Sequence, residues 1–451
     1  MRALTMLAAL VPAAIIAVSA ATSQGDGAVV AAPVAGPDLQ RATTTSFDAG
    51  GVKVIHRRSD VAGVVAANLY LLGGTRQVTA ETAGIELLLL DASEHGTRSY
   101  PRDVLRRKMS RLGGSIVVEP SADWTMIGLR TTTDRFDSTW AILAERVMYP
   151  TLPDREVELV RQRLLAALAQ RRDDPDALAN YLADSIAFAG HPYALPVAGT
   201  ERSVSSLSAA DLRRYHAAQM VTSRMLLVVV GDVDRDHLEA LVRRTIATLP
   251  KGDYQWTLPA AVPRTGPAAV LEHRRLPTNY ILGYFPGPLA NDRDAVVMRI
   301  ATTALTGRLF ADIRTRRNLT YDVHSPYLER AATAGGLYVS TASPTLVLQL
   351  MRDAVRELKQ EMLDPSGLKR MEAHYITDYF LDNETHAAQA HFLARAEIYR
   401  GDWRSAERFV DELRTVTAEQ VQRAARRYIQ DIRFAYVGDT TQVDRRLLTG
   451  F

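Results

Sequence analysis

The sequence predicts an α+β protein of two homologous domains, each an antiparallel β-sheet packed with helices. Three observations predict it. The chain has 451 residues, more than one hydrophobic core ordinarily serves and natural for two domains of about 200 residues each. Strand-like and helix-like periodicities alternate in blocks, with helices grouped between strands. The second half also echoes the first. Asn68-Leu69-Tyr70-Leu71 returns as Asn279-Tyr280-Ile281-Leu282, Ser208-Ala209-Ala210-Asp211 as Thr417-Ala418-Glu419-Gln420, and Gly231-Asp232 as Gly438-Asp439. The offsets are 211, 209 and 207 residues. Three echoes at nearly one offset argue for a duplicated domain.

Taken in order, residues 1–20 read as a secretory signal peptide. Arg2 is the charged start, residues 3–18 are apolar but broken by Thr5 and Pro12, and Val18-Ser19-Ala20 offers a small-x-small cleavage pattern. Residues 21–45, rich in Ala, Gly, Thr, Ser and Pro, read as a flexible leader. The first domain is expected over 46–250. Residues 52–55 and 64–72 are β-rich runs bounded by glycine. Residues 83–97 form a helical segment, and 102–112 an amphipathic helix stopped by Gly113-Gly114. Residues 115–118 and 124–131 read as two antiparallel strands. Residues 134–148 are helical, as are 154–172, with Asp154 as the expected cap and Val157, Val160, Leu164 and Leu168 at helical spacing. A helix over 208–219 opens with a Ser208 to Asp211 capping box. A buried strand follows at 226–230 and a helix at 238–249. Residues 251–267, punctuated by Pro259, Pro263 and Pro267, read as the linker, and 268–451 as the second domain.

Composition excludes several classes. The formal charge of +3 is mixed along the chain, so no basic tail argues for nucleic acid. No stretch beyond the signal approaches a membrane span. The chain has no cysteine, which excludes a disulfide framework, a nucleophilic thiol and a lipid-anchored cysteine. No G-x-S-x-G or glycine-rich phosphate loop appears.

The segment with most to say runs from Gly84 through Leu87, Leu90 and Asp91 to Gly96-Thr97. It resembles the zinc helix of the pitrilysin/insulinase peptidase family, where a Gly is followed three residues later by H-x-x-E-H and Gly-Thr closes the segment. Laid on that frame without a gap, the first ligand falls on Leu87, the general base on Leu90 and the second ligand on Asp91. The chemistry needs two imidazoles one turn apart with a Glu beside them. Two leucines and one carboxylate cannot supply it. The family's third ligand is a Glu seven residues after another acid; with Glu156 as that acid, the position falls on Arg163, which cannot bind zinc. His191, in the His191-Pro192-Tyr193 loop, reads as structural. Glu94-His95 and the set Glu384, His386 and His391, placed on one helix, give no three convergent ligands and read as surface residues.

In the second half, residues 292–305 form the helix equivalent to the degenerate one, again without ligand types. The following segment, Gly307-Arg308-Leu309-Phe310 through Arg314 and Asn318 to Tyr321, resembles the family's R-x(6)-Y element. Asn318 stands where the family usually has Gly, and Asn tolerates the left-handed backbone such a turn needs. The resemblance implies that Arg314 and Tyr321 donate hydrogen bonds to the oxyanion or to neighbouring substrate carbonyls during peptide hydrolysis.

The resemblance covers residues 45–451 and implies a clamshell arrangement. Some family members are heterodimers in which one chain carries the zinc and the other does not, among them the mitochondrial processing peptidase and bacterial two-chain relatives. This chain is similar to the zinc-less partner. The implied function is a subunit of an exported, periplasmic or secreted, bacterial metalloendopeptidase. It binds no cofactor itself and is inactive alone. It pairs with a zinc-bearing sister and gives Arg314 and Tyr321 in trans to a peptide substrate. Two alternatives stand beside this: an inert scaffold subunit of a larger complex, and a self-sufficient peptidase with another metal site.

Overall fold

A computed structural model describes residues 43–60 and 63–451. The expected signal peptide and most of the expected leader lie outside the described residues. Strand structure begins ahead of residue 46, the boundary that composition suggested: β1 (Thr43–Ala49) pairs antiparallel with β2 (Val52–Arg58). With β3 (Val64–Leu72), β4 (Ser115–Pro120), β5 (Trp124–Thr132) and β6 (Met225–Gly231) they form a six-stranded sheet ordered β1-β2-β6-β3-β5-β4.

The second half builds the same sheet from β7 (Ala268–His273), β8 (Asn279–Leu289), β9 (Thr320–His324), β10 (Tyr327–Leu328), β11 (Ala332–Thr341) and β12 (Arg433–Gly438). Its order is β10-β11-β8-β12-β7, with β9 also on β11. The run β2-β6-β3-β5 therefore matches β7-β12-β8-β11 strand for strand, and the duplication read from three short echoes is a duplication of topology. Both sheets are antiparallel except for one pair in each, β2 with β6 and β7 with β12, which run parallel. The first and last strands of each repeat lie side by side, and the whole domain is the crossover that a parallel pair requires.

Helices cover each sheet, one face from its own half and the other from the opposite half. In the first half these include α1 (Ile85–Ala92), α2 (Arg102–Leu112), α3 (Phe136–Met148), α4 (Asp154–Asp173), α5 (Pro175–Ala187), α6 (Glu201–Ser206), α7 (Ala209–Gln219) and α8 (Arg235–Arg244). In the second they are α9 (Asp294–Leu309), α10 (Pro344–Gln360), α11 (Pro365–Asp382), α12 (His386–Arg400), α13 (Phe409–Arg414), α14 (Ala418–Tyr428) and α15 (Arg445–Leu448). Asp154 is the first residue of α4, and Pro153 takes the cap position expected for it. The expected long helix over 83–97 is α1 followed by a 3-10 turn at Ser93–His95.

Strand parity shows how the halves join. In β6, Leu227 and Val229 point into the core built with the first half's own helices. Leu226, Val228 and Val230 point to the other face. That other face is covered by α12 of the second half, through Ala390, Leu393, Ala394 and Ile398. Reciprocally, α5 of the first half places Ala183 and Ala187 against Leu282, Tyr284 and Ala435 of the second sheet. Helices α5 and α12 hold equivalent places in the two repeats and are exchanged between them. Each sheet is thus closed on its second face by the other half, and that face is packed core rather than an open cleft.

A buried polar cluster pins the exchange. Asp123, in the β4–β5 turn, is fully buried. Its carboxylate accepts hydrogen bonds from Tyr193 Oη (2.5 Å), Tyr399 Oη of α12 (3.2 Å) and the Ala331 amide of the second half (2.8 Å). Arg330 adds a bidentate pair to Asp184 of α5 at 3.1 and 3.2 Å. Among the described residues no helix is long and apolar enough to cross a membrane.

Candidate functional site

Helix α1 begins where the sequence frame places it. Gly84 adopts φ 89°, a left-handed conformation that a side chain would strain, and a Cβ there would meet the Ala198 carbonyl oxygen at 2.7 Å. Gly199 packs against the same turn, and Ser203 Oγ donates to the Ala83 carbonyl at 2.8 Å. The helix entry is locked by close backbone approach, which explains both glycines. The adjoining Glu86 is buried and pairs with Arg224 at 3.3 Å, while Tyr215 Oη donates to it at 3.2 Å. Sequence reasoning missed this anchor, because its partners lie more than a hundred residues away.

Leu87, Leu90 and Asp91 share one face at helical spacing. Leu90 is buried in the first core, and Leu87 and Asp91 are half-buried. Burial pushes the Asp91 carboxyl up to about 6, against the pull of the Arg146 and Arg163 guanidinium groups. Arg163 on α4 therefore does lie within electrostatic reach of Asp91. The donor set does not fit zinc: two aliphatic side chains, a guanidinium and one carboxylate leave the ion a single ligand. Among the described residues no three His, Cys, Asp or Glu side chains cluster as a metal site.

The raised Asp91 carboxyl gives a stability prediction. Its folded value, about 6, lies above the ordinary 3.8, so the native state holds its proton to higher pH than the unfolded chain. The contribution of this carboxyl to stability is then greatest below about pH 4, falls as pH rises from 4 to 6, and is lost above it. Asp91→Asn removes that loss. The variant is expected to exceed the parent by on the order of 1–3 kcal/mol at pH 7 and to match it at pH 4. Urea unfolding at the two pH values checks this; equal differences at both would show that the carboxyl is not under strain.

The histidines are structural, and three of them correct the surface reading. His95 is buried, with Nδ1 2.7 Å from Glu156 Oε2, and Arg102 reaches the same carboxylate at 2.9 Å. His386 is buried because α12 lies on the first sheet: Nδ1 sits 2.7 Å from the Val64 carbonyl and Nε2 3.2 Å from Ser59 Oγ. His391, half-buried on the same helix, contacts Tyr70 Oη at 3.2 Å, and burial lowers its pKa to about 4. Glu384 precedes α12, which is capped by Thr385, so it shares no helix with them. His191 is held from both sides: Nδ1 accepts from the Tyr193 amide and Nε2 faces the Ala260 carbonyl, each at 3.2 Å.

Arg314 and Tyr321 are brought together. After α9 the chain makes a π-helical turn, Phe310–Arg316, a wide turn of the kind found at functional sites. Asn318 then takes φ 50°, the left-handed conformation expected of it, and the chain enters β9. The Arg314 guanidinium bonds back to the carbonyl oxygens of Thr320, at 3.3 Å, and Tyr321. It lies 4.7 Å from the Tyr321 ring centroid and 5.6 Å from that of Phe310. Tyr321 is 72% exposed and Phe310 47%. Tyr321 is therefore no core strand aromatic: it projects from the sheet beside a fixed cation, over an open groove floored by Tyr280, Thr320 and Thr341.

Residues 53–201 match the family description Insulinase (Peptidase family M16), and residues 206–373 match Peptidase M16 inactive domain. This chain belongs to the insulinase family of peptidases. An uncharacterized zinc protease of Mycobacterium tuberculosis is 27% identical over 396 residues, covering 84% of this chain and 88% of the relative. The fold is similar to that of a peptidase M16 inactive domain from Pseudomonas fluorescens, with TM-score 0.80 at 20% identity over 88% of this chain and 98% of that one. It is also similar to the periplasmic protease PqqL of Escherichia coli, with TM-score 0.75 at 15% identity, over 88% of this chain but 45% of the longer protein.

Proposed function

We propose that this insulinase-family chain is the non-zinc subunit of an exported bacterial heterodimeric metalloendopeptidase, presenting Arg314 and Tyr321 to a peptide held against a zinc-bearing sister. The observation that carries the reading is the contrast between two sites of one molecule. The helix that should bind metal is filled with leucine, while the Tyr321 hydroxyl stands exposed beside an Arg314 held in place by the Thr320 and Tyr321 carbonyls. Because the second face of each sheet is closed by an exchanged helix, the chamber of a clamshell would have to form between this chain and another. That the matched stretch makes up 45% of one E. coli protein leaves room there for a second unit, which fits such a pairing.

In the assembled chamber the Tyr321 hydroxyl donates to the oxyanion or to a neighbouring substrate carbonyl. Arg314 holds the ring and adds positive charge beside it. Bond cleavage is left to the zinc of the partner. An extended peptide could add to the free edge of β4, the outermost strand of the first sheet, which adjoins α1. The N-terminal charge and apolar pattern supports export.

The test is peptidase activity on an unstructured peptide together with zinc analysis of the same sample, for this chain alone and mixed with the sister. The expected result is no zinc and no cleavage alone, with cleavage above the sister's own level after mixing. Stoichiometric zinc and chelator-sensitive cleavage by this chain alone would overturn the reading. Inactivity of the mixture would favour the inert scaffold role.

A further inference from the structure

Well away from the Arg314 groove, a cavity of about 70 Å³ opens between α9, the turn from β10 to β11, and α12 with the turn that follows it. Four arginines line it, Arg299, Arg330, Arg395 and Arg400, against one acid, Glu329. Arg330 is neutralised by Asp184 and Arg400 by Glu412 at 2.5 Å. Arg299 and Arg395 both turn to Glu329. Among the lining arginines and their direct partners four cations thus share three carboxylates, with Asp382 acting on Arg299 from outside the lining.

The donors tell the same story. Arg299 Nε, Arg395 Nε and Ser405 Oγ, all on residues of this cavity, are buried without a hydrogen-bond partner among the described residues. A buried donor left unpaired costs about 1–3 kcal/mol, and more if charged. Arg299 is also sandwiched by Tyr327 and Phe409, with ring centroids 5.5 and 5.1 Å away. Burial holds its pKa below the ordinary value, against the pull of Tyr327, Tyr375 and Asp382 and with the Arg400 charge pressing the same way as burial. Four lining arginines, three idle donors and aromatic walls describe a site that wants a small acceptor. The volume suits two or three waters or one oxyanion, and a guanidinium favours the oxyanion because two parallel N–H groups match its two oxygens.

We propose that this cavity binds one small oxyanion, a phosphate or a short carboxylate, between Arg299 and Arg395, with the Ser405 hydroxyl donating to it. Such a ligand would tie α9 to the exchanged helix α12 and so bear on how firmly the two halves hold together. The site is independent of the peptidase reading, since none of these residues belongs to the Arg314 groove.

The experiment is titration calorimetry of the full chain with inorganic phosphate, and separately with acetate, at ionic strength held constant with sodium chloride. Thermal unfolding is followed in the same buffers. The expected result is saturable one-site binding of at least one anion with a matching rise in Tm. Binding weakens tenfold or more in Arg395→Met and a few-fold in Ser405→Ala, and is unchanged in Arg370→Met, an exposed arginine on α11. Phosphate binding alone assigns a phosphate site; acetate binding alone assigns a carboxylate site. Absence of saturable binding and thermal shift with both anions would overturn the proposal. So would binding that survives in folded Arg395→Met. Should that variant not fold, unaltered affinity in Ser405→Ala overturns it instead.

Discussion

In the proposed pairing with a zinc-bearing sister, Tyr321→Phe is expected to lower turnover by about 100- to 1000-fold, the range for removing one preorganised donor to a developing oxyanion. The substitution deletes one oxygen and keeps the ring, so the contact with Arg314 survives. It should leave the fold alone: Tyr321 is 72% exposed, and exposed substitutions outside special features fall within about 0.5 kcal/mol. Arg314→Ala should act in the same direction by another route. It removes positive charge and also the bonds to the Thr320 and Tyr321 carbonyls that fix the turn. The loss should appear in kcat, with KM moving less, because the donated bond strengthens as charge develops. Steady-state kinetics with the zinc-bearing sister, beside size-exclusion of the same mixtures, separates the two effects. Full activity in both variants would remove Arg314 and Tyr321 from catalysis.

The largest stability effect is expected at Asp123. Asp123→Ala should destabilise the chain by about 3–5 kcal/mol, the range for removing one partner of a buried charged network. The side chain is fully buried and serves three donors from three parts of the molecule: Tyr193, Tyr399 and the Ala331 amide. Burial, then the Asp123 charge, raises both tyrosine pKa values far beyond their usual range. The two hydroxyls therefore stay protonated as donors at any pH where the protein folds, and truncation strands them. Asp123→Asn keeps the shape and one acceptor oxygen and should cost less, about 1–3 kcal/mol. Denaturant unfolding measures both. A change under 0.5 kcal/mol for the alanine variant would mean that the halves are not pinned there.

Legibility followed the range of the interactions. Strands β3, β5 and β6 could be read because runs of apolar and β-branched residues are a local signal, closed by glycine after β3 and at the end of β6. Helix α7 could be read from its capping box, which the structure contains with Ser208 and Asp211 bonded reciprocally. Helix α5 escaped notice although its local signals were present: Asp174 accepts from the Asp176 and Ala177 amides, and Pro175 opens the helix. Its alanine-rich face makes sense only against the sheet of the other half. The histidines went astray for the same reason. His95 and His386 look like surface residues until Glu156 and the Val64 carbonyl, far off in sequence, come into contact with them.

The sequence by itself determined the duplication, the α+β class and the family frame, because each is a matter of residue types at short, fixed spacings. It also pointed to the left-handed backbone at Asn318, between Arg314 and Tyr321. Only the tertiary structure decided that the repeats exchange α5 and α12, that Tyr321 stands in solvent against the Arg314 guanidinium, and that Arg299 and Arg395 converge on Glu329. Those facts depend on which surfaces meet after the chain folds. A periodic pattern states that a face is apolar, but not which partner, near or distant, will cover it.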